Sequence, residues 1–193
     1  HAGYRAGTVA RIFLFLMLMF AAQAQSGDYD RLLLGVDGDL VTGHFSDCTG
    51  ACKFECNFFF AGTRTAGAFE ITAYVPGEQD AIRGTARHEG KTIHLRLESL
   101  PGGCWNVAPE LKAAGTELLL DQKADWLQIR AVREKSHLRA RPRGKKTFRI
   151  DRLQTVIVLK RQKEWLYIRK PGAEKTRGWL HEIVSTIVYP LAL

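Results

Sequence analysis

Short runs in which apolar and polar residues alternate constrain this chain more than any other feature of its sequence. The runs at 69–75 and 93–97 both have this period of two. Such a period places the apolar side chains on one face of a β-strand, so both runs predict half-buried strands. Gly- and Pro-containing turns separate the runs at short intervals. Only 107–114 could form a helix, and a short one, so the first part of the chain is predicted to be all-β.

Further strands are predicted from similar runs, and together they suggest a simple topology. The full predicted set is 32–36, 39–45, 54–60, 69–75, 81–87, 93–97 and 116–120. Asp37-Gly38 is a strong hairpin signal, because Gly supplies the positive φ that tight turns need. Closely spaced strands with short turns predict an antiparallel meander that closes into a small barrel or forms a sandwich. An eight-stranded barrel can hold a small molecule or be filled by its own side chains, and the sequence leaves both open.

An apolar run at 12–22, IFLFLMLMFAA, follows two arginines and precedes Ala22-Gln23-Ala24. A basic start, a short apolar core and an A-x-A end are the three parts of a secretory signal peptide. The run is too short to span a bilayer, which requires about 20 residues. We therefore expect cleavage after Ala24, no transmembrane segment in the mature chain, and a periplasmic or secreted location.

Charge divides the mature chain into two modules. Residues 25–125 contain 15 acidic and 9 basic residues, whereas 126–193 contain 5 acidic and 17 basic residues. The first module has a net charge of −6 and the second of +12, within a whole chain of +8. The segment 126–133 resembles a strand that continues without a flexible linker. Two modules in contact through opposite charges would explain the division, and so would an anionic partner of the basic module.

Four short segments of the basic module occur in an informative order. They are LRARP at 138–142, VIVL at 156–159, WLYI at 165–168 and GWL at 178–180. Their order and spacing resemble the bacterial SH3-like domain of cell-envelope proteins. Glu164 replaces the Gly that this family usually has before the Trp, and DRL at 151–153 replaces its Gly-Asp turn. The resemblance implies a small β-barrel that binds cell-wall peptide or a protein partner, whereas the N-terminal module resembles no family that we recognise.

The resemblance also directs attention to one stretch of the basic module as a ligand site. Basic residues at 139, 141, 143, 145 and 146 occupy the position where eukaryotic binders of proline-rich peptides have an acidic loop. The expected ligand is therefore anionic: an envelope polymer, a lipid headgroup or an acidic protein face. Trp165 and Tyr167 share one face of their strand, so they are candidate contact residues unless they belong to the core. The candidate ligand-binding residues are Arg139, Arg141, Arg143, Trp165, Tyr167 and Trp179. Nucleic acid is disfavoured by secretion and by the lack of a recognition motif.

The four cysteines, Cys48, Cys52, Cys56 and Cys104, permit three interpretations. Thiols oxidise outside the cytoplasm, so disulfides are the favoured interpretation. We expect the bond Cys56–Cys104 to close a long loop and the bond Cys48–Cys52 to close a local ring. Structural zinc held by His44 and the first three cysteines is a second interpretation, which oxidising surroundings disfavour.

The third interpretation is catalytic. The sequence DCTG at 47–50 resembles the D-C-S/T-G nucleophile motif of NlpC-type cell-wall cysteine peptidases, which often carry bacterial SH3-like domains. The resemblance implies Cys48 as nucleophile and His88 or His94 as base. A reactive thiolate needs a helix N-terminus and a nearby imidazole, and the aromatic segment after Cys48 does not have the pattern of such a helix.

The sequence as a whole favours recognition over catalysis. We expect a signal peptide at 1–24, an acidic disulfide-containing β-domain at 25–125 and a basic SH3-like domain at 126–193, with no cofactor and no metal. The partner is a protein or an anionic cell-envelope component. The chain would act as an inhibitor or immunity-type protein against an envelope-attacking enzyme, or as a peptidoglycan-targeting module. The alternative is a cysteine peptidase that uses Cys48.

Overall fold

The computed structural model describes residues 24–75, 77–78 and 80–187. The expected apolar leader at 12–22 lies outside these residues, and the expected cleavage point, Ala24, is the first residue described. The described chain is all-β, as predicted, with single turns of 3-10 helix in some of its connections. No helix in the described ranges has the length and apolar character needed to cross a membrane.

The first eight strands form a closed antiparallel barrel. They are β1 Gly27–Tyr29, β2 Leu32–Asp37, β3 Leu40–Thr49, β4 Phe54–Thr65, β5 Ala68–Tyr74, β6 Ala81–Glu89, β7 Thr92–Leu97 and β8 Thr116–Lys123. Each strand pairs with the next along the chain, and β1 pairs with β8 to close the barrel. The predicted meander is thus confirmed in its barrel form. The sequence did not reveal β1, because three residues are too few to show alternation.

The interior of the barrel is filled by its own side chains. Three aromatic rings at the centre are at most 1% exposed: those of Phe45, Phe58 and Phe60. They belong to a core cluster with apolar residues from the other strands of the barrel. Gly43 is required by this packing, because a Cβ at that position would lie 2.3 Å from the ring of Phe60. Each fully buried side chain of this size contributes about 1.5–3 kcal/mol. The centre of the barrel is therefore an apolar core built from its own side chains.

The connection between β7 and β8 folds over one end of the barrel. It contains two single 3-10 turns, Cys104–Asn106 and Pro109–Leu111, where the sequence permitted a short helix at 107–114. Ala108 and Leu111 from this connection are fully buried in the barrel core. The disulfide between Cys104 and Cys56 of β4 ties the connection to the wall. The long connection therefore acts as a plug for the barrel.

The hairpin between β2 and β3 is confirmed, with its turn shifted by one residue. Asp37 pairs with Leu40 as part of the ladder, so the loop is Gly38-Asp39 rather than Asp37-Gly38. Gly38 has φ of 62°, as expected for a glycine at the first loop position of a tight hairpin. A two-residue loop leaves Asp37 directly opposite Leu40, so Asp37 belongs to β2 rather than to the turn.

The remaining seven strands form a second, curled antiparallel sheet with the order β11-β10-β14-β13-β12-β9-β15. They are β9 Gln128–Val132, β10 Ser136–Arg139, β11 Lys146–Ile150, β12 Thr155–Gln162, β13 Trp165–Lys170, β14 Ala173–His181 and β15 Ser185–Thr186. The sheet curls around a small apolar core. The buried core residues are Val132, Leu138, Ile150, Val156, Val158, Leu166, Ile168, Leu180 and Val184.

Strand β9 is buried on both faces because it lies between the barrel and the second sheet. Val132 faces the core of the sheet, whereas Ile129 packs against the barrel in a cluster that includes Phe59 of β4. The backbone N–H of Ile129 donates to Thr42 Oγ1 on β3 at 2.7 Å. Gly35 of β2 permits the close approach, because a Cβ there would lie 2.7 Å from the Cα of Gln128. The contact between the domains is therefore mainly apolar.

Ion pairs in the described ranges join residues of the same domain. Across the contact, Arg169 acts on Asp28 electrostatically: burial raises the pKa of Asp28, Asp121 adds to the rise, and Arg169 opposes it. Direct ion pairing between the domains therefore does not account for the division of charge along the chain. The positive charge of the second domain remains available on its own surface.

Candidate functional site

The outer face of the second sheet carries the aromatic side chains that the sequence analysis selected. On β13, Leu166 and Ile168 are fully buried in the core, whereas Trp165 and Tyr167 lie on the opposite face. This is the arrangement that the alternation predicts. Trp179 of β14 lies beside Tyr167, with ring centroids 5.3 Å apart and planes tilted by 51°. Tyr167 and Trp179 are both half-buried, so part of each ring is available to a ligand.

These two aromatic residues are the centre of a row that crosses five strands. Register pairs Lys146 with Arg139, Arg139 with Trp179, Trp179 with Tyr167, and Tyr167 with Lys160. Directly paired residues of antiparallel strands project from the same face, so these side chains form one line, which we call the cation–aromatic row. Neighbouring strands are about 4.8 Å apart, so the row extends about 19 Å.

Arg139 is held in place by two contacts. Its Nη1 donates to the carbonyl oxygen of Gly144 at 2.8 Å, and its guanidinium carbon lies 6.0 Å from the centre of the Trp165 ring. Trp165 is only 8% exposed, because Arg139 and the edge-on ring of His181 lie against it. Trp165 therefore packs beneath Arg139 and beside the row. Tyr167 and Trp179, which belong to the row, are more exposed than Trp165.

The structure brings four of the six predicted residues together and places the other two at the margin. Arg139, Trp165, Tyr167 and Trp179 lie on one face, whereas Arg141 and Arg143 lie in the exposed turn between β10 and β11. The Arg143 guanidinium lies 3.5 Å from a carboxylate oxygen of Glu164. Exposed pairs of this kind contribute between 0 and about 1 kcal/mol, so Arg143 is only weakly held.

Sequence reasoning missed several charged members of this face. Lys160 belongs to the row only because a bulge in β12 shifts its register against β13. Arg177 lies directly opposite Arg169, which pairs with Glu174 and leaves Arg177 exposed. Glu174 compensates the charge of Arg169, so the positive charge left for an anion at this position is that of Arg177. Only the pairing register identifies these residues, and the sequence contains no signal for it.

A second polar cluster of the same domain surrounds one buried arginine. The Arg130 side chain is 7% exposed, and its Nη1 donates to Glu182 Oε1 at 3.2 Å and to Gln128 Oε1 at 3.0 Å. Its Nη2 donates to the carbonyl oxygen of Ser185, while Arg161 donates to the same Glu182 oxygen. Burial lowers the pKa of Arg130, and Glu182 opposes that effect. The cluster joins β9 and β12 to the C-terminal part of the sheet, so its role is to hold the sheet together.

Both predicted disulfides, Cys48–Cys52 and Cys56–Cys104, are present. A sulfur in a disulfide is neither a thiolate nucleophile nor a zinc ligand. Among the described residues, no group of three or more His, Cys, Asp or Glu side chains is arranged to hold a metal ion. The disulfides indicate an oxidising compartment rather than the cytosol.

The residues of the proposed peptidase site lie on separate strands of the barrel. Cys48 is near the end of β3, whereas His88 and His94 lie on β6 and β7, with β4 and β5 in between. Nε2 of His94 lies 2.7 Å from a carboxylate oxygen of Glu117. The peptidase alternative stays a prediction, and it requires that Cys48–Cys52 be reduced before Cys48 can react.

Comparisons with family models, curated proteins and solved structures find no match to this chain. The geometry of the described residues is therefore the basis for assigning a site. Within those residues, the cation–aromatic row combines accessible rings, fixed positive charge and a regular spacing. This combination suits an elongated anionic ligand.

Proposed function

We propose that this chain is a secreted binding protein of the bacterial periplasm, and that it holds an anionic component of the cell envelope. The ligand lies on the outer face of the second domain, which is an SH3-like domain. The observation that carries the proposal is the cation–aromatic row. It places Arg139, Lys146 and Lys160 on both sides of two half-buried rings.

The charge of the second domain supports this choice of ligand. Four of its five acidic residues pair with arginines of the same domain: Asp151, Glu164, Glu174 and Glu182. The lysines at the ends of the row are exposed and are not used in those pairs. Clustered cations raise the local concentration of an anionic partner and accelerate its association. Arg139, Lys146 and Lys160 therefore bring positive charge to the same face as the aromatic contacts.

The barrel supports the site without contributing to it directly. Its packed core and the disulfide Cys56–Cys104 make it a rigid body, and β9 fixes the second sheet to its outer wall. The disulfides suit an oxidising compartment such as the periplasm. A bacterial SH3-like domain next to a rigid acidic barrel is consistent with targeting to the cell wall.

Sedimentation with purified cell-wall sacculi tests the proposal. We expect the mature chain to be retained at physiological salt, and the double variant Lys146→Ala/Lys160→Ala to be retained much less. The double variant Lys91→Ala/Lys135→Ala, which removes two exposed cations outside the row, is the matched control and should bind like the parent chain.

Two results would contradict the proposal. Retention only at low salt would indicate unspecific attraction that salt screens. Equal retention of the double variant and the parent chain would show that the row is not the contact surface. Capture of one envelope-attacking enzyme in a periplasmic pull-down, without retention by sacculi, would favour the inhibitor version of the function instead.

A further inference from the structure

We infer that the cation–aromatic row binds an extended polysaccharide that carries carboxylates. The sugar rings stack on Tyr167 and Trp179, and the carboxylates meet Arg139 and Lys146 on one side and Lys160 on the other. This inference rests on the proposed function and names the chemistry of its ligand. The chain of sugars runs across the strands, along the row.

The regular spacing of the row is the first argument. Consecutive members lie on neighbouring strands, so they repeat at about 4.8 Å. This distance is close to the advance of one sugar in an extended 1,4-linked polysaccharide. A polymer that crosses the strands therefore meets about one side chain of the row with each sugar. A compact ligand would use only part of a line that extends about 19 Å.

The order of side chains along the row is the second argument. Two aromatic rings occupy the centre, and cations occupy both ends. Pyranose rings have apolar C–H faces that pack against aromatic rings, while their carboxylates project at the ring edge. An acidic peptide offers carboxylates but few flat faces, so it would leave the accessible surfaces of Tyr167 and Trp179 unmatched. Single-stranded nucleic acid offers both features, but an exported protein meets little of it.

The positions of the charges are the third argument. Arg139 is fixed by Gly144 and by the Trp165 ring before any ligand arrives, so little side-chain freedom is lost on binding. Its planar guanidinium can donate two parallel hydrogen bonds to one carboxylate. Arg177 is exposed beside the ion pair of Arg169 with Glu174, so Arg177 extends the positive surface to one side of the row.

Titration calorimetry with oligogalacturonate, its neutral methyl ester and polyglutamate tests the inference on the mature chain. We expect saturable binding of oligogalacturonate, weaker binding of the methyl ester, and the weakest binding of polyglutamate. Trp179→Ala should weaken oligogalacturonate binding about tenfold, whereas Trp179→Phe should retain most of it. Trp105→Ala is the matched control, because Trp105 is exposed on the barrel far along the chain from the row.

The outcomes separate this inference from the proposed function. Equal affinity for polyglutamate and oligogalacturonate, without an effect of Trp179→Ala, would overturn the polysaccharide inference even where sacculi still retain the chain through its cations. Preference for single-stranded DNA over oligogalacturonate would overturn it in favour of nucleic acid. Where Trp179→Ala fails to unfold cooperatively, Tyr167→Leu gives the same comparison, and an unchanged affinity in that variant overturns the inference.

Discussion

The barrel and the second sheet differ in how their strand edges and their cores are arranged. The barrel closes on itself, so it has no free edge, and its core consists of apolar side chains and one long-range disulfide. The second sheet stays open between β11 and β15, has a smaller apolar core, and is held together in addition by the buried cluster around Arg130. Closure pairs every strand of the barrel on both sides, whereas the open sheet has two edge strands, β11 and β15.

The difference shows how the two domains divide their tasks. The outer wall of the barrel is used for internal contact, because Gly35, Thr42 and Phe59 receive β9. The outer face of the sheet extends beyond that contact and carries the cation–aromatic row. The acidic domain therefore provides a fixed support, and the basic domain provides the surface proposed for recognition.

Removing the long-range disulfide of the barrel should lower the free energy of unfolding by the largest amount. The bond Cys56–Cys104 spans 48 residues and the bond Cys48–Cys52 spans 4. In the loop-entropy treatment, these separations correspond to about 4 and about 2 kcal/mol of stabilisation. We expect Cys56→Ala/Cys104→Ala to lose about twice as much unfolding free energy as Cys48→Ala/Cys52→Ala in urea titrations. Equal losses would mean that the plug is held by its apolar contacts instead.

Neutralising the buried cluster should weaken the sheet by the next largest amount. Glu182→Gln keeps an acceptor for Arg130 but removes the negative charge that compensates it. A hydrogen bond to a charged group typically contributes about 1.5–3 kcal/mol, and we expect a loss of that size in unfolding free energy because Arg130, the buried partner, keeps its charge. Glu174→Gln is the control, because Glu174 is 75% exposed and should change stability little. Similar values for the two variants would show that the cluster does not hold the sheet.

Weakening the contact between the two domains should lower the free energy of unfolding by a somewhat smaller amount than Glu182→Gln. Gly35→Ala places a methyl group 2.7 Å from the Cα of Gln128, so β9 must move away from β2. Overpacking of this kind typically costs about 1–3 kcal/mol. We expect thermal unfolding to divide into two transitions, one for each domain. Thr85→Ala, on an exposed position of β6, should leave a single transition. A single transition in Gly35→Ala would show that the coupling does not depend on the close approach at Gly35.

The smallest expected effect is a dependence on pH at the same contact. His44 stacks on Phe59, and its two ring nitrogens contact Asn57 and Thr155. Burial lowers the pKa of His44 from its ordinary 6.5, while the bond to Asn57 opposes the shift. The unfolded chain therefore binds the proton more readily, and stability should decline as pH falls below 6.5. Denaturation above and below that pH should show this decline, and it should be smaller in His44→Gln.

The features that the sequence predicted are those with local causes. Strands such as 69–75 are recognisable because one face is buried and the other is not. The pairing of the cysteines was predicted from the expected oxidising compartment and from the positions of the two long-separated partners, Cys56 and Cys104. Strands β1, β11 and β15 were missed because they are short or lie at an edge, where burial does not impose a clear period.

The complete set of residues in the candidate site could not be predicted from the sequence, for a different reason. Trp165, Tyr167 and Arg139 could be selected by type and alternation. Lys160 and Arg177 join them only through register, and the bulge in β12 changes that register by one residue. Bulges depend on how a whole sheet twists, so no local pattern marks the lysine that completes the row.

Strand β11 also has a consequence for solubility. It forms an edge of the sheet, and an edge with free backbone groups invites pairing with another chain. Lys146 and Arg149 are both exposed on this strand, and closely spaced positive charges repel a second copy of the same edge. The lysine at the end of the row therefore also protects the protein from aggregation. A variant that loses this charge should be checked for self-association before any loss of binding is attributed to the site.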